Sequence, residues 1–161
     1  MSVKYVLGAG MRRLRRFLVC FFLFSCVLFS SCSGTRISPD AAIGALLAAH
    51  SLPAGVVYGA DLEGEEMFFR LFGSAEKEMD GIRSFGLYLS AREAVCEVAV
   101  FDCYTKSEAR ELAELCAERG DFLARRENTV SSKVLIKGKY LLWAACEDPD
   151  ILIATLSRAV N

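Results

Sequence analysis

The chain has 161 residues, enough for one domain with its own core, so disulfides are not required to stabilise it. All 20 acidic side chains follow Cys32, whereas five of the 19 basic ones, Lys4, Arg12, Arg13, Arg15 and Arg16, precede it. Loss of residues 1–31 takes the net charge from −1 to −6, which excludes a nucleic-acid binder that works by neutralising phosphates and excludes a basic patch as a membrane anchor.

The first element is a targeting segment. Four arginines, Arg12, Arg13, Arg15 and Arg16, precede Phe17–Phe29, which is 13 residues with no charge and only Ser25 polar. A membrane span needs about 20 apolar residues to cross a hydrocarbon core of about 30 Å, so this run has the length of a signal-peptide core instead. A buried helix is disfavoured because the arginines have no acidic residue near them in sequence. The run ends in Phe29-Ser30-Ser31-Cys32. Bacterial lipoprotein signals end in a large apolar residue, two small residues and a cysteine; the small residues admit the peptidase and the thiol takes the diacylglyceryl group. Phe29 stands where Leu is usual. The expectation is cleavage after Ser31, lipidation of Cys32 and stable attachment to the extracytoplasmic face of the cell membrane, since two or three acyl chains hold where one binds reversibly. Met11 opens a signal of ordinary length, so residues 1–10 read as a start-site extension. Residues 32–37 form a short linker, and 38–161 the domain.

Ser38 is placed to cap a helix that has Pro39 at its first position and Asp40 in its first turn. Ala42, Ile43, Leu46, Leu47 and His50 share one face at helical spacing, and Pro53 and Gly55 end the helix. The stretch EGEEMFFRLFG predicts a shorter helix with Met67, Phe68, Leu71 and Phe72 inward, closed by Gly73. The polar SAEKEMDG reads as a loop. Phe85, Leu87 and Leu89 alternate on one face of a strand, and AVCEVAVFDC is a second, mostly apolar strand that belongs near the centre of a sheet. Thr105-Lys106-Ser107-Glu108 is a capping box. Behind it Ala109, Leu112, Ala113, Cys116, Gly120 and Leu123 hold one face of a long helix reaching about Glu127, in which Gly120 lets the helix approach the sheet at about 1 kcal/mol in propensity. KVLIKGKYLLWAACED is a hairpin turning at Lys137-Gly138 or Gly138-Lys139, and Asp148-Pro149 starts the last helix. The order is α-α-β-β-α-β-β-α: an α+β fold, a single small domain with a mainly antiparallel sheet of about four strands and helices packed on it.

Few residues offer chemistry. With Cys32 lipidated, Cys96, Cys103, Cys116 and Cys146 remain in the domain. An even count in an exported protein permits disulfides with three connectivities, yet all four fall on strands or an inward helical face, where Cys acts as a small apolar residue. Buried free thiols are expected, and Cys103 with Cys146, each ending an apolar strand, is the disulfide pair to test. Their separations do not suit zinc, and neither a metal nor a cofactor is expected. The sole histidine, His50, has nothing beside it to complete a nucleophilic site. Ser131-Ser132-Lys133 reads as a polar loop rather than a Ser–Lys dyad, and Glu147-Asp148-Pro149-Asp150 as a helix start rather than a calcium loop. No catalytic residue is assigned.

From Leu71 to Leu156 the sequence resembles an uncharacterised family, a domain of unknown function in small Gram-positive, clostridial-type lipoproteins. The likeness rests on LFG, on AVCEVAVFDCYTKSEARELAELCAERGDFL and on GKYLLWAACEDPD. The family's acidic residue opening a strand, its mid-helix arginine and its Gly-x-Tyr turn fall on Glu97, Arg119, Gly138 and Tyr140. Its longer loop with Tyr and Pro before the hairpin is replaced here by ENTVSS. The resemblance implies a secreted, lipid-anchored domain and brings no catalytic residues. The sequence thus points to a non-enzymatic binding or interaction module at the cell envelope that meets an envelope protein or component; the alternative is a small envelope hydrolase whose site is assembled from loops.

Overall fold

In the computed structural model the described residues are 37–73, 75–91 and 94–160. The expected signal segment, Ser31, Cys32 and nearly all of the expected linker lie outside them. Ser38 Oγ accepts from Ala41 N and caps α1 (Pro39–Ala49), with Pro39 at its start as the sequence requires. A short strand β1 (Gly55–Tyr58) follows, then α2 (Leu62–Phe72), opened by an Asp61 carboxylate that accepts from Gly64 N. A one-turn helix α3 (Glu76–Asp80) leads into β2 (Ile82–Ser90) and β3 (Glu97–Cys103). Both halves of the capping box are made at Thr105 and Glu108, and they start α4 (Lys106–Arg126). The hairpin β4 (Ser131–Lys137) and β5 (Tyr140–Cys146) precedes α5 (Pro149–Ala159).

The five strands form one sheet in the order β1-β2-β3-β5-β4, with every neighbouring pair antiparallel. Lys137 pairs with Tyr140, so the hairpin turns on Gly138-Lys139, and Gly138 takes the positive φ of 63° that a primed turn needs. β3 is buried along its whole length, the consequence of a central position with helices on both faces. Alternation sends Phe85, Leu87, Phe101, Leu141 and Trp143 to one face, where α2 and α4 cover them with Phe68, Leu112, Cys116 and Leu123. Tyr88, Val98, Val100, Leu142 and Ala144 point to the other face, covered by Ile43 and Leu46 of α1 and by Leu152, Ile153 and Leu156 of α5. The first core is aromatic: Phe68 packs on Phe72 with ring centroids 4.9 Å apart, and Phe72 meets Trp143 edge-on at 5.9 Å.

The α+β class, the single domain and the order of the eight expected elements hold. Two further elements are present. β1 is only four residues and lies at the sheet edge, with Val56 and Val57 about half exposed, so it carries no buried alternation to announce it. The polar SAEKEMDG segment contains the turn of helix α3, which buries none of its residues and therefore shows no apolar period. Asp148 is the N-cap residue of α5, but its side chain makes no capping hydrogen bond.

Candidate functional site

β3 and β5 pair in a register that sets Glu97 opposite Ala145 and Val98 opposite Ala144. Continued by one residue, that register sets Cys96 opposite Cys146, and both side chains belong to the core shared by α1 and α5. A cavity of about 320 Å³ opens at this end of the sheet. Cys96 and Cys146 line it together with His50, Leu52 and Pro53 after α1, Ala94 and Val95 before β3, and Ile151 and Leu152 in the first turn of α5. Its rim is held by polar contacts. The Tyr88 hydroxyl donates to the Pro53 carbonyl, and Ser90 Oγ accepts from Cys96 N at 2.9 Å while donating to Ala94 O at 2.5 Å.

The thiols differ in environment. A side-chain hydrogen bond to Cys96 and a second one from the Asp148 backbone N–H lower the pKa of Cys146 against the opposing effect of burial. Cys96 is pushed up by its hydrogen bond to Cys146, by burial and by Glu97. The Asp148 N–H stands at the start of α5, where unpaired donors favour an anion. In the opposite core, burial pushes Cys103 up to about 12 and raises Cys116 well above the ordinary thiol value. None of the four is bridged in this structure, and all four are buried.

The structure separates the pair proposed from sequence. Cys103 N donates to Lys139 O at one end of the β3–β5 ladder, whereas Cys146 ends β5 at the other, roughly 20 Å away at about 3.3 Å per residue. The two side chains also point to opposite faces, Cys103 toward α4 and Cys146 toward α5. A disulfide needs Cα atoms within about 7 Å, so Cys103–Cys146 is corrected: Cys146 meets Cys96. The sequence lacked the pairing register, which is the only signal that distinguishes the two.

His50 reaches the same cavity, but its Nε2 is hydrogen-bonded to the Thr155 hydroxyl at 2.9 Å, and Arg158 Nη2 donates to that hydroxyl at 3.2 Å. Ser131, Ser132 and Lys133 open β4 instead of forming a loop, and Lys133 forms an ion pair with Asp150 that ties β4 to α5. Among the described residues, no three or more His, Cys, Asp or Glu side chains are grouped so as to hold a metal, and no helix is long and apolar enough to cross a membrane.

Two charged constellations stand apart from the cavity. Glu97 and Arg119, two of the four positions carrying the family resemblance, form a bidentate pair at 3.0 and 2.6 Å, largely buried, with the guanidinium 5.4 Å from the centre of the Phe122 ring. Buried Asp102 pairs with Lys139 at 2.6 Å and lies 3.8 Å from Arg83. Neither pairing shows in the sequence, because each joins residues brought together only by strand register or helix docking. A wider groove of about 500 Å³ lies beside Arg83 and is walled by Glu65, Glu76, Asp80 and Tyr104.

No protein-family model, curated protein or solved structure matches this chain.

Proposed function

We propose that this protein is a lipid-anchored binding module of the cell envelope, tethered by acyl chains on Cys32 and using the cavity between α1 and α5 to hold an apolar group of an envelope protein or component. The single observation that carries the anchor is the order of residues 12–32: arginines, a 13-residue uncharged run, then Phe-Ser-Ser-Cys. The cavity supports the binding reading. Its 320 Å³ falls at the lower end of the range of small-molecule pockets, and Leu52, Pro53, Val95 and Ile151 give it apolar walls, with Ile151 51% exposed at the mouth. A short linker keeps such a domain close to the membrane, and the net charge of −6 after cleavage gives it no attraction of its own to anionic lipid.

The test is crosslinking and pull-down from intact cells, comparing the native chain with Cys32→Ala and Ile151→Arg. The native chain should capture a partner, Cys32→Ala should leave the membrane fraction or remain unprocessed, and Ile151→Arg should stay anchored but lose the partner. Recovery of nothing above the Cys32→Ala control rejects the binding reading. Unchanged membrane association and mass for Cys32→Ala reject the anchor. The hydrolase alternative is kept for one observation, that His50 and Cys146 line one cavity; it requires an ester- or amide-cleaving activity abolished by either His50→Ala or Cys146→Ala.

A further inference from the structure

Cys96 and Cys146 are placed unlike the other two thiols. Cys103 N donates to Lys139 O, so Cys103 and Lys139 are a hydrogen-bonded antiparallel pair. Pairs alternate along a regular ladder, and the β3–β5 register is unbroken from Asp102 to Glu97. Cys96 and Cys146, seven positions along, are therefore a non-hydrogen-bonded pair. In such a pair the Cα atoms lie about 4.5 Å apart with side chains on the same face, inside the range a disulfide spans. Both side chains belong to the same buried cluster, on the face covered by α1 and α5. Both line an open cavity, whereas Cys103 and Cys116 are packed under α4.

We propose that Cys96 and Cys146 form a redox-active dithiol site on the floor of the cavity, which closes to an intramolecular disulfide by exchange with a low-molecular-weight disulfide. Cys146 is the entry thiol, because it lies two residues before Asp148, the N-cap of α5, where the unpaired N–H groups of the helix start favour a thiolate, whereas Cys96 leads into a strand. Cys146 loses its proton to solvent and its thiolate attacks one sulfur of the incoming disulfide. The S–S bond breaks, one half leaves as a thiolate that takes up a proton, and the other half stays on Cys146 as a mixed disulfide. Cys96 then gives up its proton and attacks Cys146 Sγ, releasing the second half as a thiol. The chain loses two electrons and two protons, and the small disulfide gains them as two thiols. This site stands whether or not Cys32 is acylated, since it rests on the β3–β5 register, the place of both thiols in the cavity wall and the start of α5, and not on the anchor.

The experiment treats the full chain with oxidised glutathione, alkylates the remaining thiols and maps peptides without reduction, so that Cys20, Cys26 and Cys32 are scored separately. The expected product is a linked pair of peptides containing Cys96 and Cys146, with Cys103 and Cys116 alkylated only after unfolding. Cys96→Ala should then trap glutathione on Cys146, and Cys146→Ala should take up at least tenfold less on Cys96. Free Cys96 and Cys146 after treatment of the native chain, or a link that uses Cys103 or Cys116 instead, overturns the site. Equal uptake by the two single variants overturns the assignment of Cys146 as entry thiol. The native-chain measurement stands even if a variant fails to fold.

Discussion

Gly120→Ala sets two effects of known size against each other at one position. Gly120 lies on the buried face of α4, in the middle of a 21-residue helix, where alanine is favoured over glycine by about 1 kcal/mol. On propensity alone the substitution stabilises. A methyl carbon there lies closer than 3.0 Å to both Oγ and Cβ of Ser132 on β4, nearer than such carbons approach real neighbours, and 3.7 Å from Trp143 Nε1. Ser132 Oγ can rotate away, but its Cβ is fixed by the β4 backbone, so relief requires α4 to back off the sheet. Overpacking of that kind costs about 1–3 kcal/mol. The expected net change is a loss of about 1 kcal/mol, compounded from those two magnitudes. The check is urea unfolding followed by fluorescence of Trp143, the chain's one tryptophan, buried beside the contact. Pairing the change with Ser132→Gly removes both clashing atoms, so the two substitutions should couple by at least about 1 kcal/mol in a double-mutant cycle. If Gly120→Ala raises stability by the full helix-propensity increment, or if the two changes simply add, α4 does not sit as close to β4 as the structure has it.

Four other outcomes are expected. Glu97→Ala strands Arg119 without its carboxylate and should lower stability by about 3 kcal/mol, with little dependence on salt, measured by denaturant unfolding at two ionic strengths; a loss under about 1 kcal/mol means the pair is solvated like a surface one. In a pH series of alkylation rates, Cys146, whose pKa is lowered, should react at a pH below the ordinary thiol range, while Cys103, held at about 12, should stay inert until well above it; the reverse order contradicts the stated environments. Closing Cys96–Cys146 should raise the midpoint of thermal unfolding, since a loop of this length is worth up to about 4 kcal/mol in the chain-entropy model, on the order of 10 °C; calorimetry with and without reductant reads this, and an unchanged midpoint speaks against closure. Gly86→Ala should destabilise, because its methyl lies 2.9 Å from the Pro39 carbonyl carbon and oxygen, where α1 crosses β2.

Local signals decided much of this fold. The Ser38-Pro39 start, the Thr105–Glu108 capping box and the Gly138 turn are set by neighbours within four residues, so they read directly from the chain and are present. The alternation of Phe85, Leu87 and Leu89 and the all-apolar β3 likewise stated their own burial. β1 and α3 did not, because neither has a buried face whose period could show. The same limit governs the candidate site. The sequence established that the domain carries four cysteines and one histidine, and that the acidic charge is confined to the part after Cys32. It ranked Cys103 with Cys146 because each ends a strand, but which strand ends meet depends on antiparallel pairing between segments about 40 residues apart, which no local pattern encodes. Only the tertiary structure decided that Cys146 meets Cys96 at a cavity while Cys103 faces the other core, because pairing register and sheet face are properties of two strands together and not of either alone.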